Sequence, residues 1–228
     1  MSKRQAPTRP DYIKWLLLAG AAALVVLLGA YCFWHHVLPH SVNVDRYRYP
    51  VAGIDVSKHN GDIDFDQVRD DDYQFVFIKA SEGKTYKDAA FDRNYREALQ
   101  AGLKVGKTSD LPLVIDLEDD WGNGATVSRQ TAIERVVQMI DILNRAGYQV
   151  MIYTNLDGYE KYYKDNLLGC DLWLCSFTSP DMLPEHPHRI QQFSHEGTVA
   201  GVKGDVDLNV FRGSKREWAI YLDDVKQP

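Results

Sequence analysis

At 228 residues, 45% of them hydrophobic and 25% charged, the chain can bury one sizeable core but is short for two. A net charge of −6 argues against a nucleic-acid partner, because phosphate binding needs a basic face.

The first element in chain order is apolar. Residues 15–34 (WLLLAGAAALVVLLGAYCFW) run for roughly the 20 residues that a helix needs to cross a bilayer. Lys3, Arg4, Arg9 and Lys14 precede the stretch, and the next basic residue is Arg46. By the positive-inside rule, residues 1–14 stay in the cytoplasm and everything beyond Pro39 lies outside. A cleaved signal peptide is the rival reading, but its apolar core usually runs about 7–15 residues and ends at a small-x-small site. Here Ala21-Ala22-Ala23 falls in mid-stretch. A lipoprotein signal fits poorly, since Tyr31 precedes Cys32. The sequence therefore predicts a single uncleaved membrane helix over 15–34. With Cys32 in that helix, Cys170 and Cys175 are the remaining cysteines. A bridge between them and two small buried thiols are both open readings.

Residues 35–50 read as a short polar linker. Beyond it, strand and helix patterns alternate over 51–213, leaving 214–228 as a C-terminal extension. Residues 53–56 read as a buried strand, and 65–69 as a short helix capped by Asp64. Phe75-Val76-Phe77-Ile78 is a strand by its β-branched and aromatic content, and 89–101 is helical, stopped by Gly102. Residues 113–117 form the next strand. A long helix follows within 128–146, with Ile133, Val136, Ile140 and Leu143 on one face and Gly147 at its end. Residues 150–153, 172–174, 190–193 and 206–210 complete the strands. Alternation of this kind predicts an α/β fold with a parallel sheet, and so many units in one domain predict a barrel.

One interval breaks the pattern. Residues 103–105 and 113–115 both read as strands, yet neighbouring parallel strands need a crossover of about a dozen residues, and 107–112 cannot supply it. Either 103–105 is not a barrel strand, or the two segments pair unusually, or a unit is missing.

Two acidic pairs stand out. Asp116 and Glu118 end an apolar strand (LPLVIDLE), and Asp205 and Asp207 open the last one. Residues two apart in a strand share a face, so Asp116 and Glu118 project together. Asp55 ends Gly-Ile-Asp-Val in the same way. Barrel enzymes keep their chemistry at the C-terminal strand ends, and clustered carboxylates push one another's pKa apart. Glycoside hydrolysis needs that division, with a proton donor for the leaving oxygen and an anion facing the sugar cation. A single acid at a strand end is more often a cap or a surface ion-pair partner, and D-x-E or D-x-D also suits a divalent metal. On spacing alone, glycosidase and metal site are close rivals.

The wider sequence separates them. GIDVSKHNGDIDF, FVFIKASEGKTYKDAAFDRNY, LPLVIDLE, IYTN, LW and VDLN occur in this order across residues 51–212, and together they resemble the glycoside hydrolase family 25 lysozymes. The resemblance implies a TIM-like (β/α) barrel with fewer or irregular helices. It also implies cleavage of the β-1,4 bond between N-acetylmuramic acid and N-acetylglucosamine in peptidoglycan, without metal or other cofactor. Carried over by motif, Glu118 is the general acid and Asp116 its partner carboxylate, with Asp55 and Asp207 completing an acidic floor. The resemblance suggests retention of configuration; a carboxylate nucleophile and acetamido assistance are both open. Lys79, Glu82, Tyr153, Trp173 and Gln192 fall in the matching motifs and are candidates for substrate binding. For the rings of Tyr153 and Trp173, stacking on sugar faces and core packing are equally open. Phe193 takes a place usually filled by tyrosine. His35, His36, His186 and His188 lack partners at ligand spacing and read as surface or interface residues. Asp119, Asp120 and Asp70 to Asp72 read as solvated faces.

After Gly106 the family normally adds a strand with a Tyr-His-Phe type stretch and a helix, whereas this chain passes straight to Lys107-Thr108-Ser109-Asp110. The expectation is a barrel incomplete around 103–112, with seven strands or a gap and unpaired edges. Three functions follow: a peptidoglycan hydrolase, a barrel that binds wall glycan or a partner protein without cutting, and a metal-dependent glycan-transfer enzyme. The retained Asp55, Asp116, Glu118 and Asp207 favour the first over the second. Absence of a glycine-rich nucleotide loop weighs against the third. The anchor and the substrate together predict a cytoplasmic-membrane protein with its catalytic domain outside, in the periplasm given the lack of wall-binding repeats.

Overall fold

A computed structural model describes residues 12–36, 41–106, 110–119, 128–165 and 167–225. The chain divides into two units, Met1–Pro39 and His40–Pro228. In the first, the apolar stretch forms helix α1 (Tyr12–His36), and its side chains over residues 16–28 are exposed. Among the described residues no helix is long and apolar enough to cross a membrane. The side chains at either end of the span expected over 15–34 lie outside the described residues.

The second unit holds strands β1 (Ala52–Val56) and β2 (Phe75–Ile78), a small hairpin of β3 (Ser81–Glu82) and β4 (Tyr86–Lys87), then β5 (Lys104–Val105) and β6 (Leu113–Asp116). Strands β7 (Val150–Asn155), β8 (Asp171–Cys175), β9 (His188–Gly197) and β10 (Val206–Phe211) follow. Eight of these make one curled sheet in the order β5-β2-β1-β10-β9-β8-β7-β6. Strands β5, β2 and β1 run parallel, as do β9, β8, β7 and β6. Strand β10 is antiparallel to both of its neighbours, β1 and β9. The wholly parallel barrel expected from the alternation is thereby corrected. Residues 198–205 are too few for the crossover that a parallel partner requires, so the chain turns straight back.

The helices form where local signals place them. Asp64 caps α2 (Phe65–Asp70) by accepting from the Gln67 amide, and Ser128 caps α4 (Arg129–Arg145) by accepting from Thr131. After α3 (Phe91–Gln100), Gly102 takes φ 84°, as does Gly147 after α4, a conformation that favours glycine. Val136 and Ile140 of α4 pack on Ile115, Ile152, Leu172 and Leu174, the outer face of the sheet. Between β7 and β8, α5 (Leu156–Gly158) runs into a π-helical turn, Tyr159–Tyr163. The inner face carries Phe75, Phe77, Met151, Tyr153, Trp173, Ile190 and Phe211. Residues beyond 213 form α6 (Lys215–Val225), whose Trp218, Tyr221, Leu222 and Val225 join that inner cluster. Trp218 lies 5.2 Å from Phe75 and 5.0 Å from Phe211, which puts α6 at the end opposite the carboxylates.

The expected linker is partly integral. Val42 N donates to Phe193 O at 3.0 Å, and Val44 and Tyr49 are buried in the core. The apolar residues in this segment, sparse and without period, still contribute to packing.

At the irregular interval, 104–105 is a true sheet strand, so the sheet has eight strands, not seven. Strands β5 and β6 meet through a single bridge, Gly106 to Leu111. With no crossover between them, β6 starts where β5 ends, and the two edges of the curled sheet touch at one point. A Cβ on Gly106 would lie 2.8 Å from the Pro112 carbonyl oxygen, so this approach needs glycine.

His188, expected at the surface or an interface, is 3% exposed, because β9 begins at His188, two residues earlier than the strand expected over 190–193. Burial, and then the Arg212 charge, lower its pKa to about 4. The unfolded chain therefore takes up this proton first as pH falls below about 6.5. Stability is intact above that pH and declines down to pH 4, by on the order of 3 kcal/mol from this group. Urea midpoints at pH 7.5 and 4.5 are expected to differ less in His188→Gln than in the parent; an equal difference excludes His188 as the source.

Candidate active site

Asp55, near the C-terminal end of β1, faces Asp207 of β10 directly across the antiparallel pair. Asp55 Oδ2 accepts from Gln192 Nε2 at 2.9 Å and from Asn209 Nδ2 at 2.7 Å. Both amides are held in turn. Tyr153 OH donates to Gln192 Oε1 at 2.8 Å, and Trp173 Nε1 donates to Asn209 Oδ1 at 2.8 Å. A phenol hydrogen and an indole N–H each require an acceptor, so each amide must turn its oxygen to the ring and its NH2 to Asp55. Tyr153 and Trp173 are 8% and 5% exposed, with Trp173 stacked on Phe77 at 4.3 Å and edge-on to Tyr153 at 4.6 Å. Their rings are core, and their polar tips orient the site. Burial first, then the Asp207 charge, push Asp55 up to about 7, against the lowering effect of the two amide donors.

The second acidic pair comes from β6. Val114 packs in the inner cluster, while Ile115 and Leu117 pack in the outer one. Asp116 and Glu118 therefore take the inner side, as alternation predicts. Pairing continues past the strand end: Leu117 N donates to Tyr153 O at 3.1 Å, and Thr154 Oγ1 donates to Leu117 O at 2.8 Å. Glu118 is thereby held beside β7. The Tyr153 phenol is raised by burial, then by Cys175, Glu118 and Asp55, so both carboxylates act on one buried ring. Lys79 is raised first by its hydrogen bond to Glu82, with Asp116 also contributing. Lys79 and Glu82 form an exposed ion pair at 2.6 Å. All nine residues singled out in the sequence thus gather at one end of the sheet. Asp119, expected as a solvated face, is partly exposed and pairs there with Lys161 at 2.6 Å, and its backbone oxygen accepts from Asn155 Nδ2 at 3.2 Å. Asp120 lies outside the described residues.

The sequence reading missed two participants. Asn209 stands two residues after Asp207, so strand alternation could have found it. His195 is less legible. Its Nδ1 lies 2.8 Å from Asp207 Oδ1, and its Nε2 lies 3.9 Å from Cys175 Sγ. The register of β9 on β10 slips twice between Gln192 and Gly197. Each bulge resets the in-out parity, so simple alternation from Gln192 does not predict which way His195 points. Asp207 is the first cause that raises His195 to about 10. Cys170 and Cys175 are both free thiols.

The model of glycosyl hydrolases family 25 matches residues 54–108 and 106–202. The two matched stretches meet where β5 runs into β6 without a crossover. The chain is 30% identical over 188 residues to an autolytic lysozyme of Clostridium acetobutylicum, covering 71% of this chain and 56% of that protein. It therefore spans little more than half the length of that relative. A family 25 glycosyl hydrolase from Bacillus anthracis matches with TM-score 0.69 and 28% identity, over 79% of this chain and 96% of the other. A bacterial lysozyme from Streptomyces coelicolor matches with TM-score 0.63 and 26% identity, over 77% of this chain and 97% of the other.

Proposed function

Because the chain belongs to the glycosyl hydrolases of family 25, we propose that it cleaves peptidoglycan between N-acetylmuramic acid and N-acetylglucosamine. The observation that carries this reading is the convergence of Asp55, Asp207, Asp116 and Glu118 on one end of the sheet, with Asp55 and Glu118 both acting on the Tyr153 ring. Glu118 gives its proton to the leaving glycosidic oxygen. Asp116, on the same side of the strand, meets the cationic sugar centre, either by direct attack or by orienting the substrate acetamido group. Asp55 and Asp207 form the floor beneath, with Asp55 fixed by the Gln192 and Asn209 amides. Lys79 and Glu82 stand exposed at the rim and contact the glycan there.

The test is release of soluble muropeptides from purified peptidoglycan by the full chain, followed by identification of the new reducing ends. Reducing N-acetylmuramic acid supports the reading, and reducing N-acetylglucosamine overturns the bond assignment. The single bridge between β5 and β6 favours a second reading, a wall-binding protein that does not cut. Peptidoglycan pull-down without release identifies that case. We also propose that residues 15–34 anchor the domain outside the cytoplasmic membrane, in the periplasm. Apolar length and the basic flank support this. Recovery of the chain in the soluble fraction after cell breakage would refute it.

A further inference from the structure

His195 sits at the rim of the acidic floor, on a strand whose bulges aim it at Asp207. Resting on the hydrolase reading, we propose that His195 is a positioning residue: held between Asp207 and Cys175, it gives Asp207 a cationic partner that Asp55 lacks, and so leaves the proton of this acidic pair on Asp55.

Two carboxyls facing each other across paired strands do not both ionise readily, so a proton settles on the member with less cationic support. Asp207 has the imidazole at 2.8 Å. Asp55 has two neutral amides, at 2.9 and 2.7 Å, and lies deeper. The titratable groups facing His195 are Asp207 from β10, Cys175 from β8 at 3.9 Å and, behind Asp207, Asp55 from β1. Tyr153 and Glu118 stand further along the same floor, and Glu196 follows on its own strand. The Phe177 ring packs edge-on against the imidazole at 4.8 Å. Among these neighbours the anionic ones favour imidazolium, in keeping with a pKa of about 10.

The role has a mechanistic consequence. A mobile proton on Asp207 would leave Asp55 ionised part of the time and change the charge beneath Glu118. With His195 as imidazolium, Asp55 stays neutral below about pH 7 and loses its proton above it. Replacing the ring by an amide keeps a donor near Asp207 and removes the charge.

Two measurements on the full chain test this. The first is NMR titration of the histidine side chains, with the His195 signal assigned by its loss in His195→Gln and by its return to ordinary titration in Asp207→Asn. His195 is expected to stay protonated beyond pH 8 in the parent. Titration near its ordinary value of about 6.5 overturns the proposal, whether or not the protein cleaves peptidoglycan. The second is the pH profile of kcat/KM for parent and His195→Gln. Loss of the cation raises the proton affinity of the acid pair, so the inflection near pH 7 is expected to move alkaline by about one unit or more. A uniform fall in rate with an unmoved inflection shows a merely structural histidine and also overturns the proposal. If His195→Gln fails to fold, Asp207→Asn and the parent titration still decide. Absence of cleavage by the parent sinks the hydrolase reading and leaves the NMR result standing alone.

Discussion

Glu118→Gln is expected to lower muropeptide release by on the order of 10²–10⁴-fold while leaving the fold intact. Glutamine matches the side chain in size and keeps one acceptor, but it has no proton to give the leaving oxygen, and general acids of this kind contribute about that factor. The half-buried position of Glu118 just beyond β6 leaves little packing to disturb, so urea unfolding should be nearly unchanged. A synthetic substrate with a good aryl leaving group needs little protonation, and the variant is expected to lose far less activity on it. Asp116→Asn, by contrast, is expected to lose activity on both substrates, because cation stabilisation is needed whatever leaves. Equal loss by Glu118→Gln on both substrates would remove Glu118 from the role of acid. Full activity on peptidoglycan would remove it from the mechanism.

Asp55→Asn is expected to stabilise the protein at pH 8 and impair catalysis. Burial and the Asp207 charge hold the Asp55 pKa at about 7, above its ordinary value of 3.8. The sign follows from linkage. Below about pH 3.8 the carboxyl is neutral in both states. Between there and pH 7 the unfolded chain releases the proton first, so stability falls as pH rises, and the loss is complete above about 7. Asparagine does not ionise. Its oxygen can accept from Gln192 and Asn209 as Asp55 Oδ2 does, and its NH2 can donate to Asp207. The gain over the parent should therefore grow between pH 5 and pH 8, by about 2 kcal/mol after discounting for partial exposure to the groove. That amounts to a shift of about 1 M in the urea midpoint. A gain that does not vary with pH, or a loss at pH 8, would show that Asp55 is not the strained acid of the pair.

Much of this protein is legible in its sequence. Most strands of the main sheet and the three principal helices follow from local signals: Asp64 as a cap, Gly102 and Gly147 as stops, the apolar face of the long helix, and β-branched or aromatic runs bounded by polar turns. The ordered motifs around Asp55, Asp116, Glu118 and Asp207 identify the family and four of the acids, because short-range spacing alone places residues two apart on one strand face. Strand direction, register and depth belong to the tertiary structure. Nothing within β10 turns it antiparallel between β1 and β9; the extension of β9 to Gly197 does, because it leaves only residues 198–205 as a connection. Two bulges in β9 bring His195 to Asp207, and bulges arise from how two strands pair rather than from either strand alone. Burial, not composition, makes Tyr153 and Trp173 orienters of the site, turns His188 inward and raises Asp55. The sequence by itself determined which residues carry the chemistry, since side-chain chemistry and strand periodicity are local. Only the tertiary structure decided how deep each of those carboxyls lies and which donors it faces, because burial and partners depend on how distant strands pair.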